Sequence, residues 1–389
     1  MAYDFDTVVD RHGTSSVKWD FEEEFTGMTG LLPLWVADMD FPAPSEIMNA
    51  IQRRVDHPIF GYVREPVSYY EAARAWLGRR HDWDVPVEWM VPSPGVIPSV
   101  AAAILAFTQP GEGIVIQPPV YHPFAMRVKS NGRRVVENPL VVRDGAWHMD
   151  LDGLEKVIDR GTRMLILCSP HNPVGRVWET ETLTRLAEIC RSHGVLIVSD
   201  EIHNDLVMRG YRHTPMGSIS KVSEDTVTLV AATKTFNIAG LGGSLAVIPG
   251  EQRRKAFESQ QYAIFSGVAN AVAVAASEAA WRHGEKWLEE LLVYIKGNYE
   301  FLKGFLGAEI PAVKVFPLEG TYLALLDMRE LGLTDPTLKE RLLRDARVWL
   351  DEGTKFGRGG GRMQRLNLAC PRSVLAEALR RMGSVFGGK

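Results

Sequence analysis

The chain has 389 residues, of which 46% are hydrophobic and 24% charged, and its formal net charge is −4. This length exceeds what one hydrophobic core usually holds, so we expect two domains of an ordinary soluble globular protein, with no electrostatic reason for nucleic-acid or membrane binding. The three cysteines match no metal or disulfide spacing and suit a reducing cytoplasm.

The first part of the chain is irregular in pattern. A short strand is expected at Leu34–Ala37, helices near 45–55 and 67–80, and a connection over 86–92. From Ser93 onward, apolar strands alternate with amphipathic helices, which is typical of a mostly parallel sheet with helices on both faces.

Further along, the pattern changes to long helices from about 285, followed by a second region with strands near 321–326 and 364–368. The sequence therefore predicts an α/β fold with two parts. A large domain is expected at 46–286, and a smaller α+β domain at 1–45 together with 287–389.

Three polar residues follow three apolar strands, namely Asn172, Asp200 and Lys234. Right-handed crossovers bring the carboxyl ends of parallel strands to one edge of the sheet, where such sheets bind ligands. Singly, they could be a turn residue, a cap and a solvated lysine. Together they fit pyridoxal 5′-phosphate: Lys234 binds it covalently, Asp200 keeps its ring nitrogen protonated, and Asn172 donates to its phenolate oxygen.

Other residues fit the same cofactor. Tyr121 follows another strand and could stack on the cofactor ring, or could pack on the surface. Gly95, Val96 and Ile97 open a helix whose amides would hold the phosphate, a weak signal on its own. The hydroxyl of Thr233 is a further possible donor. Catalytic roles are therefore expected for Lys234, Asp200 and Tyr121.

These residues belong to longer motifs that recur in one family. The superfamily motifs are Ser93–Val96, Asn172–Gly175, Ser199–Ile202, Thr233–Asn237 and Arg365–Leu368. The subgroup motifs are Leu34–Phe41, Phe60–Tyr62, Asp200–His203 and Arg365–Arg372. In this order and spacing the chain resembles the fold-type I pyridoxal-phosphate enzymes of the class I/II aminotransferase superfamily. More narrowly it resembles MalY/PatB-type cystathionine β-lyases (cysteine-S-conjugate β-lyases).

The resemblance implies a sheet of the seven-stranded type and roles for residues that are uninformative alone. Tyr62 would reach the phosphate of a neighbouring subunit, which implies a homodimer with shared active sites. His203 replaces a tyrosine that many aminotransferases carry, and would lie at the cofactor. Ala231 and Gly242 replace a serine and an arginine that many aminotransferases place on the phosphate. The substrate-binding residues that the resemblance implies are Arg365, which would hold the α-carboxylate, with Trp35, Val36, Ala37 and Asn172.

The function that the resemblance implies is α,β-elimination on a small amino acid, with a thiol leaving from Cβ of cystathionine or another cysteine S-conjugate. An aminotransferase is the alternative, because the two reactions share their first steps. A regulatory protein on the same fold is a third interpretation. The pattern predicts no metal site.

Overall fold

The computed structural model describes residues 3–219, 223–264 and 269–387. The helices of eight or more residues are α1 (Ser45–Asp56), α2 (Val67–His81), α3 (Val96–Phe107), α4 (Pro123–Ser130), α5 (Thr180–Ser192), α6 (Glu251–Ala263), α7 (Ala271–His283), α8 (Glu285–Glu309) and α9 (Arg372–Phe386). Shorter helices lie at Glu22–Thr26, Leu151–Val157, Ala232–Thr235 and Asp335–Glu340, the last continued by a π-helical turn at Arg341–Asp345.

The strands divide between a main sheet and smaller sheets. The main-sheet strands are β1 (Met90–Ser93), β2 (Gly113–Ile116), β3 (Arg134–Glu137), β4 (Thr162–Cys168), β5 (Leu196–Asp200), β6 (Thr226–Val230) and β7 (Ser244–Val247). The second sheet contains β8 (Lys314–Val315), β9 (Leu323–Asp327), β10 (Asp351–Glu352) and β11 (Met363–Asn367). Two short pairs join Leu32–Pro33 to Val348–Trp349 and Val141–Arg143 to Ala146–His148.

The main sheet has the order β1-β7-β6-β5-β4-β2-β3. Strands β6, β5, β4, β2 and β3 run parallel, while β7 is antiparallel to both of its neighbours. The predicted mostly parallel, seven-stranded sheet is confirmed. The connection expected over 86–92 is wrong in part, because Met90–Ser93 forms an edge strand. An edge position tolerates Pro92, which has no N–H to donate.

The central strands are buried on both faces, as their continuous apolar runs predict. In β4, Ile166 faces one core, whereas its neighbours Leu165 and Leu167 face the other. Helices α3 and α6 cover the first face and α5 covers the second. This double cover leaves the carboxyl edge of the sheet as the place where polar side chains can gather.

The second sheet is antiparallel. It shares a hydrophobic core with α8, which precedes it in the chain, and α9, which follows it. The domain division at residues 46 and 286 stays a prediction. In the structure, α1 and α2, near one predicted boundary, pack on α7, near the other.

The segment Trp35–Phe41 contacts residues near both sheets and is held by side-chain amides. Asn367, at the end of β11, donates from Nδ2 to the carbonyls of Val36 and Asp38 at 2.7 and 2.5 Å. Asn237, in the loop after β6, exchanges hydrogen bonds with the backbone of the same segment. The strand predicted at Leu34–Ala37 is wrong, because these amides hold an irregular backbone there and the short strand lies just before it.

Candidate active site

A cavity of about 210 Å³ lies at the carboxyl ends of β4, β5 and β6. Nine of the ten residues predicted to bind the cofactor line it: Gly95, Val96, Ile97, Tyr121, Asn172, Asp200, His203, Thr233 and Lys234. The tenth, Tyr62, is 98% exposed and does not line the cavity. We refer to this cavity as the inner chamber. Residues that follow separate strands are thus brought together as the topology requires.

Lys234 lies on the short helical turn that follows β6. Its Nζ donates to the carbonyl oxygen of Ala37 at 2.5 Å. Burial lowers the pKa of Lys234 to about 8, while the negative charge of Asp38 acts in the opposite direction. At neutral pH the side chain is therefore much closer to the neutral, nucleophilic amine than an exposed lysine would be.

We expect a pH dependence from this lowered pKa. The rate at which the cofactor-free protein captures pyridoxal phosphate should rise with pH and level off above about 8, because the neutral amine of Lys234 attacks and its ammonium form does not. Stopped-flow absorbance over pH 6 to 10 measures that rate. A pH midpoint near the ordinary pKa of lysine would contradict the lowered pKa of Lys234. A Lys255→Ala control should capture pyridoxal phosphate at the same rate as the parent.

Asp200 ends β5 and is 4% exposed. One carboxyl oxygen accepts from the Ile202 N–H at 3.1 Å. Burial raises the pKa of Asp200 to about 7, and the positive charge of Lys234 offsets this only in part. Among the described residues Asp200 has no ion-pair partner, so it fits a ligand that brings a protonated ring nitrogen.

The other end of the inner chamber suits a phosphate. Gly95 precedes α3, and no side chain of the described residues caps that helix start. Gly242 has φ 75°, and a Cβ there would lie 2.8 Å from the carbonyl oxygen of Pro94. The loop therefore approaches the helix start too closely for a side chain. With Thr233 alongside, main-chain amides and a hydroxyl face the phosphate position, and the residues present fit pyridoxal phosphate.

His203 and Tyr121 flank the chamber. Burial lowers the pKa of His203 to about 3, helped by the charges of Lys234 and Arg365, so the ring is neutral. Its Nδ1 has no hydrogen-bond partner among the described residues. Burial, and then the charge of Asp200, raise the pKa of Tyr121, which keeps its hydroxyl protonated at neutral pH. Both side chains are thus uncharged at neutral pH.

A second cavity of about 460 Å³ adjoins the first, and we refer to it as the outer chamber. Ala37, Tyr121 and Lys234 line both chambers. Of the residues predicted to bind substrate, the outer chamber is lined by Trp35, Val36, Ala37 and Arg365, whereas Asn172 lines the inner one. Lys234 therefore lies where a molecule in either chamber can contact it.

Arg365 lies on β11 with 4% of its surface exposed. Its guanidinium donates to the Asn172 Oδ1 at 2.9 Å, the Trp35 carbonyl at 2.8 Å and the Asp351 carboxylate at 2.6 Å. Asp351 faces it across the β10–β11 pair and also meets Lys355 at 3.1 Å. Arg365 is therefore a fixed, planar cation close to the boundary between the chambers.

The sequence patterns did not predict three residues that contact or line the site. Tyr322, which is fully buried, donates its hydroxyl to the carbonyl of Ala37 at 2.8 Å. Asp351 pairs with Arg365, and His122 lines the outer chamber. No local pattern marks Tyr322 or Asp351, because their position depends on how distant strands pair. His122 directly follows Tyr121, and that adjacency was the one usable signal.

Two cations from the start of the chain, Arg11 and Lys18, pair with two aspartates of the Trp35–Phe41 segment, Asp38 and Asp40. Lys18, with 0% exposure, places its Nζ 2.6 Å from the Asp40 carboxylate. Arg11 meets Asp38 at 2.7 Å and Asp40 at 2.8 Å. This charge cluster fixes the segment whose Ala37 carbonyl accepts from Lys234.

Two kinds of feature are absent from the described ranges, 3–219, 223–264 and 269–387. There, no group of three or more histidines, cysteines or acidic residues is placed to bind a metal ion. In the same ranges, no helix is both long and apolar enough to cross a membrane.

Comparison with known proteins agrees with this geometry. A family model described as aminotransferase class I and II matches residues 30–382. The chain is 45% identical to the cystathionine beta-lyase PatB of Bacillus subtilis (strain 168), covering 97% of this chain and 98% of that protein. It is 34% identical to the protein MalY of Escherichia coli (strain K12), covering 97% of each. Cystalysin of Treponema denticola, solved with pyridoxal 5′-phosphate, superposes with a TM-score of 0.96 at 36% identity, covering 99% of each chain.

Proposed function

Because the chain belongs to the aminotransferase class I and II family, we propose that it is a pyridoxal-phosphate-dependent carbon–sulfur β-lyase. The observation that carries the proposal is the position of Lys234 on the wall shared by the two chambers. A cofactor would occupy the inner chamber, and the sulfur substituent of the amino acid would occupy the outer one. The substrate Cα would then lie beside the amine of Lys234. The 45% identity to a cystathionine β-lyase over nearly the whole chain supports this choice of reaction.

Binding begins with the substrate's carboxylate. Arg365 presents a planar guanidinium that suits a two-point grip on the α-carboxylate. Asn172 orients it through the 2.9 Å hydrogen bond. The segment of Trp35, Val36 and Ala37 lies against the substrate and excludes water from its Cα.

The reaction then depends on proton movement at Lys234. When bound, pyridoxal phosphate supplies an electron sink for negative charge at the substrate Cα. Once the substrate's own amine has taken its place on the cofactor, the free Nζ of Lys234 would accept the Cα proton, and its pKa of about 8 suits a base at neutral pH. Asp200 would keep the ring nitrogen of the bound cofactor protonated, and Tyr121 would stack on the ring, with His203 nearby. The net reaction converts the S-conjugate and water to a thiol, pyruvate and ammonia.

Product analysis tests this reaction directly. The loaded protein, given L-cystathionine or S-methyl-L-cysteine, should release pyruvate, ammonia and thiol in equal amounts without any added 2-oxo acid. An aminotransferase would instead need a 2-oxo acid for turnover and would release no thiol. That second result would replace the lyase with the alternative while leaving the site unchanged.

We also propose a homodimer with shared active sites. An exposed apolar stretch supports it, with exposures of 68% for Ile59, 60% for Phe60, 98% for Tyr62 and 69% for Val67. Such a group of large apolar side chains is typical of a surface covered by another subunit. In the dimer, Tyr62 of one subunit would donate its hydroxyl to the phosphate in the other.

The dimer leads to a testable expectation for Tyr62. The protein should elute at twice the 43.4 kDa chain mass. Tyr62→Phe should keep that mass but raise the Kd for pyridoxal phosphate by about tenfold or more, because one hydrogen bond to a charged group is lost. Tyr211→Phe, at a tyrosine that is 48% exposed and away from both chambers, is the matched control. A monomer, or an unchanged Kd, would contradict the assignment.

We propose a cytoplasmic location and a role in sulfur amino-acid metabolism. Cys168, Cys190 and Cys370 are all buried and unpaired, which suits the reducing cytoplasm. A lyase that releases a thiol, pyruvate and ammonia belongs to the breakdown or interconversion of sulfur amino acids.

A further inference from the structure

One wall of the outer chamber is formed by large apolar side chains, three of them aromatic. Trp35 and Trp349 stack with ring centroids 4.3 Å apart and planes 20° apart. Phe25 lies across both, with its centroid 5.7 Å from that of Trp35 and 6.1 Å from that of Trp349. Phe25 is 54% exposed, which places a large aromatic ring where the chamber meets solvent. Leu342 and Leu343 extend the same wall.

The charged groups of this chamber are already paired with one another. Besides Lys234, the charged side chains of its lining are Lys339, Lys355, Arg365, Asp351 and Glu352. Lys339 meets Glu352 at 2.9 Å, Lys355 meets Asp351 at 3.1 Å, and Arg365 meets Asp351 at 2.6 Å. Three cations against two carboxylates leave one positive charge in excess. The substrate's α-carboxylate on Arg365 would use it.

We propose that the outer chamber accepts an apolar sulfur substituent, aryl or alkyl, in preference to the zwitterionic amino-acid arm of cystathionine; this inference rests on the proposed lyase function. The charged arm would lose water and find its candidate partners already engaged, which is costly. An aryl group instead replaces water against Trp35, Trp349 and Phe25 at no such cost. The aromatic wall therefore determines the substrate class.

The test compares three substrates of the loaded enzyme through pyruvate release: S-benzyl-L-cysteine, S-methyl-L-cysteine and L-cystathionine. The kcat/KM for the benzyl conjugate should exceed that for L-cystathionine by about tenfold or more, as expected for an apolar pocket that fits its ligand. Equal values, or a preference for L-cystathionine, would overturn the inference.

Two variants separate the wall from the charges. Phe25→Ala should lower kcat/KM for the benzyl conjugate by about fivefold, because one aromatic contact is lost, and change that for S-methyl-L-cysteine by less than twofold. Glu352→Gln frees Lys339 from its carboxylate, so the ratio of kcat/KM for L-cystathionine to that for the benzyl conjugate should rise about threefold or more. Tyr211→Ala, outside both chambers, is the matched control. Equal losses on all substrates in Phe25→Ala would contradict the inference.

A binding measurement distinguishes the two proposals if they fail separately. Calorimetric titration of the loaded Lys234→Ala protein with S-benzyl-L-cysteine and L-cystathionine reports affinity without turnover. Tighter binding of the benzyl compound with no pyruvate from any substrate in the parent would reject the lyase and keep the chamber's preference. Pyruvate release with tighter binding of L-cystathionine would do the reverse.

Discussion

Lys234→Ala should lower kcat for elimination by about 10³-fold or more, since proton transfer alone contributes 10²–10⁴ and covalent capture of the cofactor is lost as well. The variant should still fold, because the removed amine makes one hydrogen bond to the described part of the chain, to the Ala37 carbonyl. Single-turnover pyruvate release measures the rate, and circular dichroism checks the fold.

Chemical rescue separates a base from a structural lysine. A small primary amine such as ethylamine, added to Lys234→Ala, should restore part of the lost rate, because it can occupy the vacated space and accept the Cα proton. Lys255→Ala, at an exposed lysine on α6, is the matched control and should keep the parent rate. Full activity in Lys234→Ala would reject its assignment as the base.

Lys18→Met should lower the free energy of unfolding by about 3 kcal/mol, because it leaves a buried carboxylate short of a cation. Lys18 is fully buried and its Nζ lies 2.6 Å from Asp40, which is 6% exposed. Arg11 lies 2.8 Å from Asp40, and because this second cation stays in the variant, we expect a loss near the lower end of the roughly 3–5 kcal/mol that breaking a buried ion pair costs. Urea titration measures the change.

A double variant supplies the control for this effect. Lys18→Met with Asp40→Leu removes both buried charges, so it should recover part of the stability that the single variant loses. Arg11→Met should cost less than Lys18→Met, since its side chain is 23% exposed and water can replace it. A loss below about 1 kcal/mol in Lys18→Met would show that the charge cluster does not stabilise the segment.

Much of the site could be predicted because its residues follow strand ends. Asn172, Asp200 and Lys234 each come shortly after an apolar run, and a parallel sheet places such positions at one edge whatever the rest of the chain does. The helix start at Gly95 follows from the same local rules.

The remaining residues depend on distant pairing. Asp351 opposes Arg365 only because β10 and β11 pair in one register, and Tyr322 reaches Ala37 across 285 positions of sequence. In the sequence, Lys18 resembles an ordinary surface lysine, because no nearby residue indicates that it will be buried against Asp40. The edge strand at Met90–Ser93 was missed because prolines normally argue against strands.

The side-chain amides of Asn237 and Asn367, which hold the segment Trp35–Phe41, also bear on the order in which the newly made chain folds. Chains emerge from the ribosome amino terminus first, and domains tend to fold as they appear. The strands of the main sheet, which end at Val247, can pair before Asn367 has been translated. The segment that carries Ala37 must wait for that asparagine before it has both of its amide partners. In the newly made chain, the sheet edge that carries Asp200 and Lys234 can therefore form before the Trp35–Phe41 segment is fixed, and we expect activity only after Asn367 has been made.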